Sequence, residues 1–396
     1  MQFAMFYHSI LSDWNHGNAH FLRGVVTELQ SRGHQVRVYE PADGWSLTNL
    51  RTEHGDEPLR QLRRIYPTLE SRFYHAETVD LDRELDGVDA VLVHEWNAPE
   101  LVARIGRHHR NHGGYKLLFH DTHHRSATAP EEMSRYDLRH YDGVLAYGNI
   151  IRDVYLDQGW SDRVWTWHEA ADTRVFRPLS TQFAAVNGHS TGRDSRQRED
   201  LVWIGNWGDG ERSEELTHYL IEPVRQLKLN ARVHGVRYPQ EGRNALARAG
   251  IEFAGWLPNY YVPRAFAAAR ATIHIPRRPY RETLTGIPTI RVFEALACGI
   301  PLVCLNWDDS EGLFTPGEDY LVAETPQQMT EALHAILADP DVAKRLVSSG
   351  LATIRDRHTC ADRVDELLII LDEVRDEESN GHVATEHALT VGEPWA

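Results

Sequence analysis

The chain has 396 residues, 41% of them hydrophobic and 25% charged, enough for two domains of ordinary size in a soluble globular protein. A formal net charge of −16 argues against a nucleic-acid backbone as the main partner, because such sites need a positive field. Three cysteines give no disulfide framework and fit a reducing cytoplasm, residues 1–4 carry no basic leader, and no apolar run nears the ~18 residues of a membrane span. Peripheral contact with a membrane stays compatible with this composition.

Residues 3–10 form a short apolar run that predicts a first strand. A polar loop follows over 12–18, then a helix from Ala19 with Phe21, Leu22, Val25, Val26 and Leu29 on one face. Gly33 ends that helix, and 35–39 is the second strand. This opening is Rossmann-like but lacks the G-x-G-x-x-G fingerprint of a dinucleotide site. Residues 45–83 are charged and weakly patterned, and read as a helix and a variable loop. Strands are expected at 88–94 and 116–119, with a helix over 101–109 between them. The later strand delivers His120-Asp121-Thr122-His123-His124 at its C-terminal end, the edge where open α/β sheets bind ligands. His and Asp are good metal ligands, yet three would crowd one loop and no partner motif accompanies them; a structural loop is the plainer alternative. A strand over 141–147 and a helix to 158 lead to W-T-W-H-E-A-A-D-T-R-V-F-R-P at 165–178. Residues 179–199 have the polar composition of a linker.

The same grammar restarts at Asp200. Strand 201–205 runs into a glycine-containing loop, 206–212, and a helix over 214–226. Strands follow at 231–235 and 251–256, with a turn at Leu257-Pro258. A helix over 262–269 and a strand over 271–275 precede Pro276-Arg277-Arg278-Pro279-Tyr280-Arg281. These arginines reverse the chain's sign locally, which suits a diphosphate; a solvated basic turn is the alternative.

Residues 286–304 read G-I-P-T-I-R-V-F-E-A-L-A-C-G-I-P-L-V-C. Pro288 and Thr289 make a helix start, with Thr289 as a candidate cap. Val292, Phe293, Leu296 and Ala297 repeat at helical spacing, Gly299 suits a left-handed C′ position, and Pro301 opens a buried strand. The N–H groups at Thr289 and Ile290 suit a phosphate. Arg291 and Glu294 share a helix face, and the carboxylate could accept bonds from sugar hydroxyls. On an arbitrary helix the two would be an ion pair on a solvated face. Helices are expected at 326–337, 342–349 and 361–374, and the polar residues from 377 read as a disordered tail.

The 286–304 segment resembles the donor-binding motif of GT-B-fold glycosyltransferases, group 1 and family-4-like. Its R-x-F-E-A-x-A-x-G form resembles the CgeB-like, spore-maturation-type branch. The likeness runs from about residue 3 to 375, with Asp172, Phe176 and Pro178 as a second anchor. It implies an α/β chain with two Rossmann-like domains facing across a cleft. Residues 1–178 would hold the acceptor and 200–360 the nucleotide sugar. A linker would span 179–199, a terminal helix over 361–376 would pack back on the N-terminal domain, and a tail would follow over 377–396. The implied reaction is transfer from a nucleotide-diphosphate sugar to an acceptor hydroxyl, in the cytoplasm and without a cofactor.

No D-x-D motif occurs in the donor segments, so arginines and helix N–H groups rather than a metal would stabilise the leaving diphosphate. The resemblance assigns Glu294 to the ribose and His120 to the transferring sugar. It places Gly17 and Asn18 in a loop facing the cleft. Gly205, Asn206 and Arg212 would meet the donor phosphates, Arg212 as a bidentate clamp or, failing that, a surface residue. Trp256 and Leu257 would border the base or simply close a strand end. Arg277 and Arg278 would face the diphosphate. Retention of configuration is implied, although retaining family-4 enzymes carry a second Glu where this chain has Gly286. The base, the sugar and the acceptor (saccharide, lipid-linked or small molecule) are not fixed by these motifs. A nucleotide-sugar epimerase or hydrolase and a non-catalytic binding protein share the fold and stay open.

Overall fold

Two parallel sheets organise the molecule. The computed structural model describes residues 1–180, 198–284 and 286–389, with side chains through Arg375. The first sheet has seven strands: β1 (Gln2–Phe6), β2 (Gln35–Pro41), β3 (Arg72–Tyr74), β4 (Ala90–His94), β5 (Lys116–Asp121), β6 (Gly143–Ala146) and β7 (Val164–Thr166), in the order β3-β2-β1-β4-β5-β6-β7. The second has six: β8 (Glu199–Ile204), β9 (Ala231–His234), β10 (Glu252–Gly255), β11 (Ala269–His274), β12 (Leu302–Leu305) and β13 (Leu321–Ala323), in the order β10-β9-β8-β11-β12-β13. Every pairing is parallel; Phe3, for example, lies between Val36 and Ala90. Helices cover both faces, so strands such as β4 and β12 are buried along their whole length, as their unbroken apolar runs require. In each sheet the strand order reverses beside the first strand, between β1 and β4 and between β8 and β11. Loops leaving the carboxyl ends there diverge and open a crevice.

Several elements differ from expectation. The first strand stops at Phe6 rather than near residue 10. Beyond it the loop is held by other segments: Leu11 N–H donates to Glu40 at 3.0 Å, and the Ser12 hydroxyl donates to the Ser46 carbonyl at 3.0 Å. Residues 45–83 are more ordered than their pattern suggests, with helices Trp45–His54, Glu57–Ile65 and Leu81–Glu84 and the edge strand β3. Strand β3 is three residues long, too short to show an alternation. The linker expected at 179–199 lies almost wholly outside the described residues.

The last helix, Cys360–Leu389, continues past 374, and the remainder of the expected tail lies outside the described residues. It follows the second sheet in sequence but packs on helix Ala19–Ser31 of the first. Gly24 makes the close approach possible: a Cβ there would sit 2.4 Å from Cys360 Sγ and 2.7 Å from Asp172 Cβ. Trp167 Nε1 donates to the Arg363 carbonyl at 2.8 Å, and Ala171 and Thr359 form a parallel bridge. Among the described residues no helix is long and apolar enough to cross a membrane, and the three cysteines are unpaired and buried.

Candidate active site

A cavity of about 900 Å³ lies between the two sheets, lined by loops from the carboxyl ends of β1, β4, β5, β8, β9 and β11 and by the start of helix Ile290–Cys298. That volume is of the size that takes a drug-sized ligand. The two walls touch at its floor. Asn206 Nδ2 donates to Asn15 Oδ1 at 2.7 Å, and a Cβ on Gly17 would lie 3.3 Å from Ile290 Cγ2.

The wall from the second sheet is cationic. Arg212 leaves the loop after β8, and its guanidinium donates to Asn206 O at 3.2 and 2.9 Å, Asn206 Oδ1 at 2.6 Å and Ile275 O at 3.0 Å. Four of its five N–H groups are thereby used, so the bidentate clamp expected from the sequence is not free to form; the charge remains. Its face lies 5.2 Å from the Trp203 ring. Burial, reinforced by Arg277, lowers its pKa to about 10. Among the described residues no carboxylate pairs with Arg212. The other cleft arginines all have one: Arg125 with Glu132, Arg237 with Asp209, Arg277 with Glu211 at 2.8 Å, and Arg291 with Glu294.

Beside Arg212 stands the N-terminus of helix Ile290–Cys298. Thr289 is its N-cap, but the hydroxyl makes no cap bond, contrary to expectation. It meets His274 Nε2 instead, at 2.8 Å. Burial, with Arg212 and Arg291 nearby, lowers the His274 pKa to about 3, so the ring is neutral at neutral pH. The first-turn N–H groups therefore lack a side-chain acceptor and face the cavity beside the unpaired cation. Gly299 closes this helix in the left-handed conformation, φ 66°.

Glu294 is placed differently from expectation. It is fully buried and is not among the residues lining the cavity. Its Oε1 accepts from Asn259 Nδ2 at 2.8 Å and faces His20 Nδ1 at 2.9 Å, and its Oε2 pairs with Arg291. Burial pushes its pKa up, but Arg291, His20 and Asn259 outweigh that and hold it below the usual value. Its partners Asn259 and Arg291 do line the cavity.

His120 also misses the cavity. Strand β5 pairs with β4 and β6 through His120 and Asp121, so both residues belong to the strand and not to its exit loop. The ring is fully buried, edge-on to Trp167 with centroids 4.9 Å apart, and burial lowers its pKa to about 3. His123 and His124, further along, reach the cavity in its place. Arg278 turns away to Glu215 at 2.8 Å, because the helix Arg278–Glu282 starts there and leaves only Arg277 on the extended side. Gly17, Asn18, Gly205, Asn206, Arg212, Trp256, Leu257, Arg277, Thr289, Ile290 and Arg291 all line the cavity. Trp256 stacks on His54 with centroids 4.6 Å apart.

The opposite wall holds residues with no motif to announce them. Glu169 lines the cavity at 4% exposure, and its Oε1 has no hydrogen-bond partner. Burial, then the Glu294 charge, raises its pKa well above the usual carboxylate value. Trp45 and Trp96 lie around His8, with His8 and Trp45 at 4.8 Å, and Trp96 carries the Arg125 guanidinium at 4.0 Å. Gly286, where a retaining family-4 enzyme would carry Glu, is packed under a loop: a Cβ there would meet Ser310 Oγ at 2.7 Å and Glu311 Cγ at 2.8 Å.

Residues 212–369 match the family model described as "Glycosyl transferase-like". A sequence search of curated proteins finds no match. In three dimensions the chain is similar to HepE of Anabaena in complex with UDP and glucose, with a TM-score of 0.65 at 13% identity over 94% of this chain and 99% of that one. It is similar to sucrose-phosphate synthase of Thermosynechococcus elongatus, with a TM-score of 0.61 at 15% identity over 95% and 100%. A glycosyltransferase of Rickettsia africae gives 0.59 at 12% identity over 94% and 98%. The chain has the fold of GT-B glycosyltransferases, and Arg212, His274, Thr289 and Arg291 lie in the segment that matches the glycosyl transferase-like model.

Proposed function

We propose that the chain transfers a glycosyl group from a nucleoside diphosphate sugar to an acceptor hydroxyl, with retention and without a metal ion. The observation that carries this reading is the pairing of Arg212, a half-buried cation with no carboxylate partner among the described residues, with the uncapped N-terminus of helix Ile290–Cys298 on one cavity wall. A diphosphate would neutralise the first and accept from the second, most strongly as charge develops on its leaving oxygen. The likeness to HepE, whose structure holds UDP and glucose, supports UDP as the first nucleotide to test. The donor would sit on residues 200–360 and the acceptor on residues 1–178. The R-x-F-E-A-x-A-x-G segment supports the CgeB-like branch. Three unpaired thiols fit a reducing cytoplasm.

Glu169 faces this site from the acceptor side. With its pKa raised it holds its proton more readily than an ordinary carboxyl, and its neutral form suits hydrogen-bonding a sugar hydroxyl. The acceptor proton then passes to the leaving diphosphate oxygen as the C1–O bond to phosphate breaks and the new C1–O bond forms. Attack from the leaving group's own face gives retention. Trp45, 38% exposed, and Trp96 offer flat apolar surfaces that suit the ring of a saccharide acceptor. The test is calorimetry with UDP, GDP, ADP, CDP and TDP, followed by UDP-sugar turnover with and without a saccharide panel. Binding of one nucleotide and acceptor-dependent turnover support the proposal. Turnover without acceptor indicates a hydrolase or epimerase, binding without turnover a non-catalytic protein, and no nucleotide binding overturns the site.

A further inference from the structure

We propose a binding site for a divalent transition ion of the zinc type on the outer side of the first sheet, formed by Asp82, His108 and His112. Their ligand atoms lie within 4.8 Å of one another, and none of the three lines the cleft. Asp82 belongs to the short helix Leu81–Glu84, while the two histidines sit one turn apart on helix Pro99–His112. Asp82 Oδ1 is 3.1 Å from His108 Nε2 and 3.6 Å from His112 Nε2. A tetrahedral ion with bonds of about 2.0–2.2 Å needs ligand atoms roughly 3.4 Å apart, which these two distances bracket.

The other ring nitrogens support the same reading. His112 Nδ1 lies 3.1 Å from the His108 carbonyl, which can only accept. A neutral His112 therefore carries its proton on Nδ1 and turns the Nε2 lone pair towards the Asp82 carboxylate. His108 Nδ1 is held by the Tyr115 hydroxyl at 3.0 Å, and its Nε2 is buried without a hydrogen-bond partner although a carboxylate oxygen is close. Metal-ligating histidines are oriented in this way, by a carbonyl or hydroxyl on the far nitrogen. The rings stack at 4.3 Å, and both Nε2 atoms converge on the same oxygen, Asp82 Oδ1. A proton could relieve one of these facing pairs; a metal ion relieves both. Imidazole and carboxylate ligands suit zinc, and the open side, with Asp82 77% and His112 54% exposed, leaves room for water to complete the shell. The ion would staple the segment between β3 and β4 to helix Pro99–His112, where Arg104 already holds the Val79 carbonyl at 2.8 Å.

The test uses the full chain, free of any histidine tag and stripped with EDTA, titrated calorimetrically with zinc chloride. His112→Gln and Asp82→Asn alter exposed side chains, so the fold is not at risk; His334→Gln, exposed and elsewhere, is the control. The expected result is one saturable site in the wild type and the control, weakened at least tenfold in both variants. Zinc should also raise Tm by a few degrees in the wild type and in neither variant. Absence of saturable binding in the wild type overturns the proposal, as does wild-type affinity in either variant.

Discussion

Arg212→Gln separates a phosphate-binding cation from a structural one. Without nucleotide the half-buried guanidinium has its pKa lowered from 12.5 to about 10 by desolvation, which sets an upper limit of about 3 kcal/mol held against the fold at neutral pH. The sign follows from the charge: the cationic form is disfavoured in the folded state, so the cost is present in full below pH 10 and fades above it. Four hydrogen bonds, each worth about 1 kcal/mol net, oppose this cost. The two nearly cancel, so the variant without nucleotide should unfold within about 1 kcal/mol of the wild type. Binding should not cancel. A charge-assisted bond to phosphate is worth about 1.5–3 kcal/mol, hence a 10- to 150-fold weaker Kd for the nucleoside diphosphate. Calorimetry and urea unfolding read the two quantities separately. Arg278→Gln, an arginine tied to Glu215 outside the cavity, should change Kd less than twofold. Unchanged affinity in Arg212→Gln, or an equal loss in Arg278→Gln, refutes the reasoning.

Glu294→Ala should act through the fold: it strands buried Asn259 and His20 and half-buried Arg291, and urea unfolding should show a loss of about 3 kcal/mol, with Glu294→Gln less affected. Glu169→Ala should leave nucleotide affinity unchanged and lower transfer at least tenfold, and Glu169→Gln, which keeps a neutral hydrogen-bonding group, should retain much more of it. Because the wild-type carboxyl is pushed up, its burial costs stability as pH rises above the unfolded pKa, so Glu169→Gln should gain stability relative to wild type between pH 5 and 8. His120 titrates the other way. With its pKa lowered from 6.5 to about 3, the unfolded chain binds the extra proton, and its contribution to stability should fall by about 2 kcal/mol between pH 8 and 5. His120→Asn should remove that part of the slope in urea unfolding at the two pH values; an unchanged slope counts against a buried neutral ring.

What could be read from the sequence was what neighbours in sequence decide. The helix over 290–298, its left-handed glycine and the strand after it depend on spacings within one segment, and all three are found there. The inward placement of Glu294 depends on Asn259 and His20, which arrive from other elements, so no local pattern carried it. For His120 the strand was right and its end was not, since pairing with both β4 and β6 carries β5 two residues further. Arg277 and Arg278 are adjacent in sequence, and only the backbone turn between them sends one to the cavity and the other to Glu215. Glu169, Trp45 and Trp96 come from three separate segments and face one wall only once the sheet is assembled.

The terminal helix has a mechanical consequence. The chain passes from the first domain to the second after Pro178, beside Gly299, and returns at Thr359, where it bridges Ala171. A helix that follows the second sheet in sequence but packs on the first resists any separation of the two halves that would pull it from Ala19–Ser31. Widening the cleft would instead have to part the polar contacts that cross it, Asn15 with Asn206, His20 with Glu294 and the Tyr260 hydroxyl with the Pro58 carbonyl. Each of those contacts is a place where a substitution would loosen one half from the other without touching the cavity's cationic wall.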